Sequence, residues 1–203
     1  MAIIQSGASA DLATVDPVSK AIRITPYDST GVEIEHVHVG EYNLSVNIPT
    51  FTAALAAGSA VFTIRNGGVR KMRILALELN PSFGATTAVA SVMQFSVRRF
   101  TAATPTGGTT LTTNIVPEDS VMTTSQILDA RCATAGAAVT TTGVAIGSPI
   151  FLCSQPRTNN AGATNFEMNR DLILNLNEGL LIYYDLVGVI GDTLGITIYW
   201  GEF

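Results

Sequence analysis

The sequence predicts an all-β fold, an antiparallel jelly-roll-like β-sandwich with an extended N-terminal arm and at most one short helix. The first observation is the strict alternation of residues 193–203, with Leu194, Ile196, Ile198 and Trp200 on one strand face. The second is a series of about eight strands after residue 50, spaced too closely for intervening helices. The third is the Gly, Pro and Asn turn chemistry between them. We therefore also expect the C-terminus to be built into a sheet.

The eight strand predictions rest on alternating or β-branched apolar residues. They cover residues 60–65, 71–79, 89–100, 109–116, 149–153, 172–176, 180–186 and 193–203. Leu75, Leu77 and Leu79 are predicted to face inward. Asn80-Pro-Ser-Phe-Gly84 is predicted to end its strand. An immunoglobulin-like sandwich is the rival fold, but the chain lacks the Cys…Trp…Cys spacing of that family.

The N-terminal residues differ in character from the rest. Residues 1–50 contain short extended pieces separated by Pro and Gly, with little to form a core. We therefore predict two parts, an arm over residues 1–50 that lies on a neighbouring molecule and a sandwich domain over residues 51–203. The apolar side chains expected at the arm's interface are Ile22, Ile24, Val32, Ile34, Tyr42 and Leu44.

One segment has helical features. Pro117 is followed by Glu118 and Asp119, and proline and acidic residues both favour the first turn of a helix. A short helix is therefore predicted within residues 117–130. The same two carboxylates could share a proton over a sugar, but a role at a helix N-terminus is the preferred interpretation.

Composition points to assembly. Hydrophobic residues make up 47% of the chain and charged residues 13%, whereas ordinary soluble domains carry about 25% charged residues. A monomer with so few charges has little protection against association. The net charge is −5 and the only lysines are Lys20 and Lys71, so no cationic stripe for nucleic acid is visible. Arginines 70, 73, 98 and 99 are interpreted as strand-edge charges or subunit salt bridges.

Candidate chemical sites are few. His36 and His38 would point the same way on a strand and could begin a zinc site, but the further ligands are missing. An exposed or interface pair is the preferred interpretation, and a trimer axis is the one arrangement that could collect enough histidines. Both histidines lie in the predicted arm, away from Cys132, Cys153 and the serine-bearing loops, so we expect no catalytic residues, no cofactor and no enzyme activity.

Cys132 and Cys153 could form a disulfide, but free and partly buried thiols are the default expectation. Residues 1–5 lack the features of a signal peptide, and no apolar run reaches the roughly 20 residues needed to cross a membrane. Trp200 with Tyr183, Tyr184 and Tyr199 could form an aromatic platform for sugars, although a core or interface role is preferred.

Three segments together resemble a recurring type of tailed-bacteriophage structural protein. They are the small polar opening followed by Ala21-Ile-Arg-Ile-Thr-Pro26, the passage from Tyr42 to Arg65, and a tail with Leu176-Asn-Glu-Gly-Leu-Leu-Ile182 and Ile196-Thr-Ile-Tyr-Trp-Gly-Glu202. The resemblance implies a virion component with a jelly-roll-like domain and an N-terminal arm, forming a homotrimer fixed to the capsid or the tail.

These observations lead to a working hypothesis. The chain is expected to be a capsid decoration or cementing protein that contacts its own copies and the phage major capsid protein, within the virion. A tail, baseplate or fibre-base component is the first alternative. A jelly-roll carbohydrate-binding module is an alternative of a different class.

Overall fold

The structure is a computed structural model that describes residues 4–6, 11–15, 22–24, 40–84, 91–119, 122, 124–157, 166–168 and 172–203. Contacts divide the chain into two units, Met1–His38 and Val39–Phe203. The first unit contains β1 (Ile4–Ser6), β2 (Asp11–Val15) and β3 (Ile22–Ile24), which form an antiparallel sheet in that order.

In the second unit, the described regular elements are strands apart from one short turn. They are β4 (Gly40–Ile48), β5 (Ser59–Asn66), β6 (Met72–Phe83), β7 (Val92–Ala102), β8 (Thr109–Thr110), β9 (Val116–Pro117), β10 (Ile127–Cys132), β11 (Val144–Pro156), β12 (Phe166–Met168), β13 (Leu172–Leu174), β14 (Gly179–Tyr184) and β15 (Asp192–Glu202). A single 3₁₀ turn, Thr112–Asn114, interrupts the described part of this unit.

Two antiparallel sheets pack as a sandwich. The first sheet has the order β11-β7-β14-β5-β10-β8, and the second has the order β12-β6-β15-β4-β9 with β13 also paired to β6. The predicted all-β antiparallel sandwich is confirmed. The strand pairs are nested along the chain: β4 pairs with β15, β5 with β14, β6 with β13, and β7 with β11.

The core lies between the inner faces of the two sheets. Alternation in β15 buries Leu194, Ile196, Ile198 and Trp200, as the sequence predicts. The Trp200 ring stacks on Tyr42 of β4, with ring centroids 5.8 Å apart and an interplanar angle of 25°. This pair joins two neighbouring strands by a large apolar contact at the centre of the second sheet.

Strand β6 differs from its prediction at two points. Its register against β15 shifts between Tyr199 and Trp200, which leaves Leu75 as an extra residue. The β-bulge reverses which residues face the core, so Leu77 and Leu79 are buried while Leu75 is only half-buried. The strand also continues through Pro81 to Phe83. Pro81 pairs with Leu194 on one side, and the described residues place no strand on its other side. The proline therefore lies at a local sheet edge, where its missing N–H group is tolerated.

The predicted helix within residues 117–130 is wrong. Pro117 belongs to β9 and pairs with Tyr42, while Ile127–Cys132 forms β10 beside β5. In between, the Glu202 carboxylate accepts hydrogen bonds from Ser125 Oγ at 2.6 Å and from the Gln126 amide at 2.9 Å. Long-range pairing and this carboxylate therefore outweigh the local helix signal. The predicted strand 109–116 is likewise two short strands around the 3₁₀ turn.

The boundary between the two parts lies earlier than predicted. Strand β4, which the sequence assigned to the arm, pairs with β15 along its whole length and belongs to the sandwich. Any arm is therefore confined to the first unit, residues 1–38. Among the described residues, no helix is long and apolar enough to span a bilayer.

Candidate interaction surface

The structure places the predicted interaction residues in three different situations. Tyr42 and Leu44 are 1% and 0% exposed in the sandwich core, so their assignment to an interface is wrong. Ile22 and Ile24 lie in β3 of the first unit. Val32 and Ile34 lie outside the described residues, as do His36 and His38.

A different apolar surface lies in the loop between β14 and β15. Its side chains Leu186, Val187 and Ile190 are 38%, 56% and 58% exposed. We call residues 186–190 the apolar tip. Three exposed aliphatic side chains within five residues form a cluster rather than the scattered single positions that are ordinary on protein surfaces.

Backbone hydrogen bonds hold the apolar tip against the segment between β4 and β5. The Gly188 amide donates to the Leu55 carbonyl at 2.8 Å, and the Gly191 amide donates to the Phe51 carbonyl at 3.0 Å. In return, the Phe51 amide donates to the Asp192 carbonyl at 2.9 Å. Phe51 and Leu55 are themselves buried, so the base of the loop is anchored in the core.

A buried ion pair fixes the same loop from the other side. Arg157 and Asp192 are 2% and 0% exposed, and the guanidinium reaches both carboxylate oxygens, Nε to Oδ1 and Nη2 to Oδ2, at 2.8 Å each. The Arg157 Nη2 group also donates to the Val187 carbonyl at 3.1 Å. Asp192 accepts from the Val189 amide at 2.8 Å. The pair thus holds the backbone at both ends of residues 187–189.

Tyr184 and Ser91 complete this network. The Tyr184 hydroxyl donates to Asp192 Oδ2 and accepts from Arg157 Nη2 at 2.6 Å. Ser91 Oγ accepts from Arg157 Nη1 at 2.7 Å. Since buried charges are tolerated only when they are paired and hydrogen-bonded, this near-complete set of partners explains how two ions can lie in the core.

The electrostatics of the network favour one protonation state. Burial, followed by the hydrogen bond to Asp192, raises the pKa of Tyr184. Burial alone would lower the pKa of Arg157, but its contacts with Asp192 and Tyr184 outweigh burial and the pKa is raised. Tyr184 therefore stays neutral and Arg157 stays charged at physiological pH, which suits a rigid support rather than a proton-transfer site.

The other predicted sites have mixed outcomes. Cys132 and Cys153 are free and buried, as expected. Trp200 and Tyr184 are fully buried, so neither can present a ring face to a sugar. The described residues between 117 and 130 form no helix, and Glu118 instead accepts a hydrogen bond from Asn43 Nδ2 at 2.6 Å. In the described part of the chain, no group of three His, Cys, Asp or Glu residues could hold a metal ion.

Three of the arginines that the sequence assigned to strand edges or subunit salt bridges form ion pairs within the chain. Arg98 lies 2.8 Å from Asp185, Arg99 lies 3.7 Å from Glu178, and Arg70 lies 4.0 Å from Glu202. Arg98 and Arg99 lie within β7, which pairs with β11 on one side and β14 on the other, so the strand-edge interpretation does not fit these two residues.

Sequence reasoning missed the apolar tip and its support. The tip's signal is present, because Leu186-Val-Gly-Val-Ile190 is an unusually apolar run for a turn. Arg157 gives no comparable signal, since its side-chain partners lie 27 to 66 residues away in sequence. Comparison with protein-family models, curated proteins and solved structures found no match to this chain.

Proposed function

We propose that this chain is a non-enzymatic structural protein of a tailed-bacteriophage particle, of the head decoration or cementing type. It binds the outer face of the capsid through contacts with the major capsid protein and with its own copies, as a homotrimer. It is assembled in the bacterial host cytoplasm and remains in the virion.

The observation that carries this proposal is the rigid support of the apolar tip. Solvent-exposed Val187 and Ile190 stand on a loop that is held by core hydrogen bonds and by the buried Arg157–Asp192 pair. Desolvating such a pair is costly, and its contacts fix the backbone of the apolar tip in one conformation. A preorganised apolar loop loses little entropy on docking, and apolar burial contributes about 25 cal/mol per Å².

The first unit supports the same proposal. In residues 1–38 the described parts are three strands of three, five and three residues, and the sequence of this range has no cysteine. Units of fewer than about 40 residues usually need disulfides, metals or association with other chains for stability. Docking on a neighbouring copy would supply that association, and repeated weak contacts over a shell would add up.

The connectivity of the sandwich is consistent with a jelly roll. Its eight principal strands are β4, β5, β6, β7, β11, β13, β14 and β15. Each of them lies in the opposite sheet from the one before it, except that β7 and β11 share a sheet. The nested pairs β4–β15, β5–β14, β6–β13 and β7–β11 have the arrangement of a rolled-up hairpin. We interpret β8 to β10 as an insertion in this pattern. Jelly rolls with two Greek keys are frequent in viral shells.

A co-sedimentation experiment tests the proposal. Purified Val187→Asp protein is mixed with particles that lack the chain, and binding is compared with that of the unsubstituted protein. We expect affinity to fall at least about tenfold, because a charge must be desolvated at the contact. Val69→Asp is the control, since Val69 is 88% exposed in the turn that follows the far end of β5. Equal binding by both variants contradicts the proposal.

A further inference from the structure

Strand β11 forms one edge of the first sheet. It pairs with β7 from Val144 to Pro156, and the described residues place no strand on its other side. Only Cys153 and Gln155 of its thirteen residues are buried. An edge of this length exposes a row of backbone N–H and C=O groups, which can accept a further strand.

The bulges on this edge lie in its first half, and a second proline, Pro156, ends the strand. Register shifts flank Pro149, between Ile146 and Pro149 and again between Pro149 and Phe151. Bulges and prolines are the devices by which edge strands avoid pairing. From Phe151 to Pro156 the register against β7 is regular. Residues 151–155 are therefore a regularly paired stretch of this edge, which we call the open edge.

The composition of the open edge favours a second copy as its occupant. Residues 144–156 contain no charged side chain, so two copies meet without like-charge repulsion and without an inward charge that would block pairing. Leu152 is 54% exposed on this strand. In an antiparallel pair centred on Cys153, Leu152 of each copy lies opposite Ser154 of the other, which leaves both leucines next to uncharged neighbours.

From these observations we propose that β11 pairs antiparallel with β11 of a second copy of the chain about a two-fold axis. The first sheets of the two molecules then join into one continuous sheet. This contact is separate from the apolar tip and does not depend on the particle proposed above. The same pairing is compatible with a trimer. A two-fold contact uses the same surface on both partners, so it can join two trimers without using the surfaces that hold each trimer together.

Five paired residues bury less surface than the about 1,000 Å² that stable interfaces usually need. The contact is therefore weak in solution. We expect a dissociation constant of about 1 mM, which corresponds to a binding free energy of about −4 kcal/mol. Sedimentation equilibrium of the full chain up to about 1 mM measures it. The test variant is Leu152→Lys, because lysine on an edge strand opposes pairing.

Leu128→Lys is the matched control. Leu128 is also a leucine with 54% of its surface exposed, but it lies on β10, which has strands on both sides. We expect Leu152→Lys to halve the mass of the largest species, whether that species is a dimer or a pair of trimers, and Leu128→Lys to leave it unchanged. Thermal melting verifies that both variants fold.

Hydrogen exchange gives a second measurement on the unsubstituted chain. Amides within residues 151–155 should exchange more slowly at about 1 mM than in dilute solution, since pairing protects them. Unchanged exchange, a mass insensitive to Leu152→Lys, or halving by both variants overturns the proposal. Particle binding by Leu152→Lys is measured in parallel. Retained binding with a halved mass separates this contact from the proposed function, which the apolar tip variant tests by itself.

Discussion

Arg157 and Asp192 form a two-point ion pair inside the sandwich, with both nitrogen–oxygen distances at 2.8 Å. The pair joins the end of β11 to the start of β15, and it also holds the backbone of the apolar tip through Val187 and Val189. Core stability and the shape of the proposed contact surface therefore depend on the same two side chains.

Replacing Arg157 by Met should lower the free energy of unfolding by about 3–5 kcal/mol, because the Asp192 charge would remain buried without its partner. Arg99→Met is the matched control. Arg99 forms a 3.7 Å pair with Glu178, but the two side chains are 41% and 25% exposed, so the expected cost is only about 0–1 kcal/mol. Urea unfolding measures both variants. Equal costs would show that the buried pair contributes no more than a surface pair.

Stability should decrease in alkaline solution. Burial raises the pKa of Cys153 from 9.0 to about 11, so the folded state favours the neutral thiol. This contribution is complete below pH 9 and is lost as the pH rises from 9 toward 11, by about 2 kcal/mol at about pH 10.5. The raised pKa of Tyr184 acts in the same direction at higher pH.

The measurement is urea unfolding at pH 8 and about pH 10.5 for the unsubstituted chain and for Cys153→Ala. The variant should lose less stability between the two pH values, since it lacks the buried thiol. An identical pH dependence in both proteins would contradict the assignment to Cys153. The absolute stability of the variant does not decide the question, because removing the sulfur also leaves a small cavity.

Trp200→Ala should destabilise the sandwich by about 3–5 kcal/mol, since it removes a large side chain from the core and the stack on Tyr42. Trp200 is the only tryptophan, so the fluorescence of the unsubstituted chain reports on this site alone. We expect short-wavelength emission that neither acrylamide nor sugars quench. Quenching of the Trp200 fluorescence by a glycan would favour the carbohydrate-binding alternative.

Gly179→Ala tests a close contact in the first sheet. A Cβ atom there would clash with the Phe100 ring and lie 2.5 Å from the Ile64 carbonyl oxygen, so we expect a cost of about 1–3 kcal/mol. Gly147→Ala is the control, because its Cβ would meet only the Arg99 carbonyl oxygen at 3.5 Å. Thermal unfolding of the two variants measures the difference. Similar melting temperatures would show that the first sheet adjusts at Gly179 without strain.

Local alternation predicted much of the sandwich. Met93, Phe95 and Val97 are expected on one face of their strand and are all buried in β7. The same reasoning succeeded for Leu194 to Trp200 in β15. Each of these strands has one buried face that imposes a period of two residues on the sequence.

The failures come from interactions between distant residues. The bulge at Leu75 depends on the register of β15, so nothing in the local sequence marks the point where alternation reverses. Residues 117–130 carry a local helix signal, yet Glu202 and β5 determine their conformation. In the sequence, Arg157 follows a proline and has the features of a loop residue. Its contact with Asp192 forms only in the folded chain.

Deletion of residues 1–38 should leave a folded sandwich, because β4 begins at Gly40 and the core residues lie within the second unit. Far-ultraviolet circular dichroism and urea unfolding measure this. We expect a cooperative transition with a midpoint near that of the full chain. Loss of the transition would mean that the sandwich depends on the first unit for its stability.

The most direct measurement is immunogold electron microscopy of purified particles from the culture that produces this chain. For a head decoration protein we expect dense, regular labelling of the heads. We also expect labelling to be lost when the only copy present lacks residues 1–38. Particles without label, with the chain free in the cell, would contradict a structural role in the virion, and label confined to tails would contradict the head assignment.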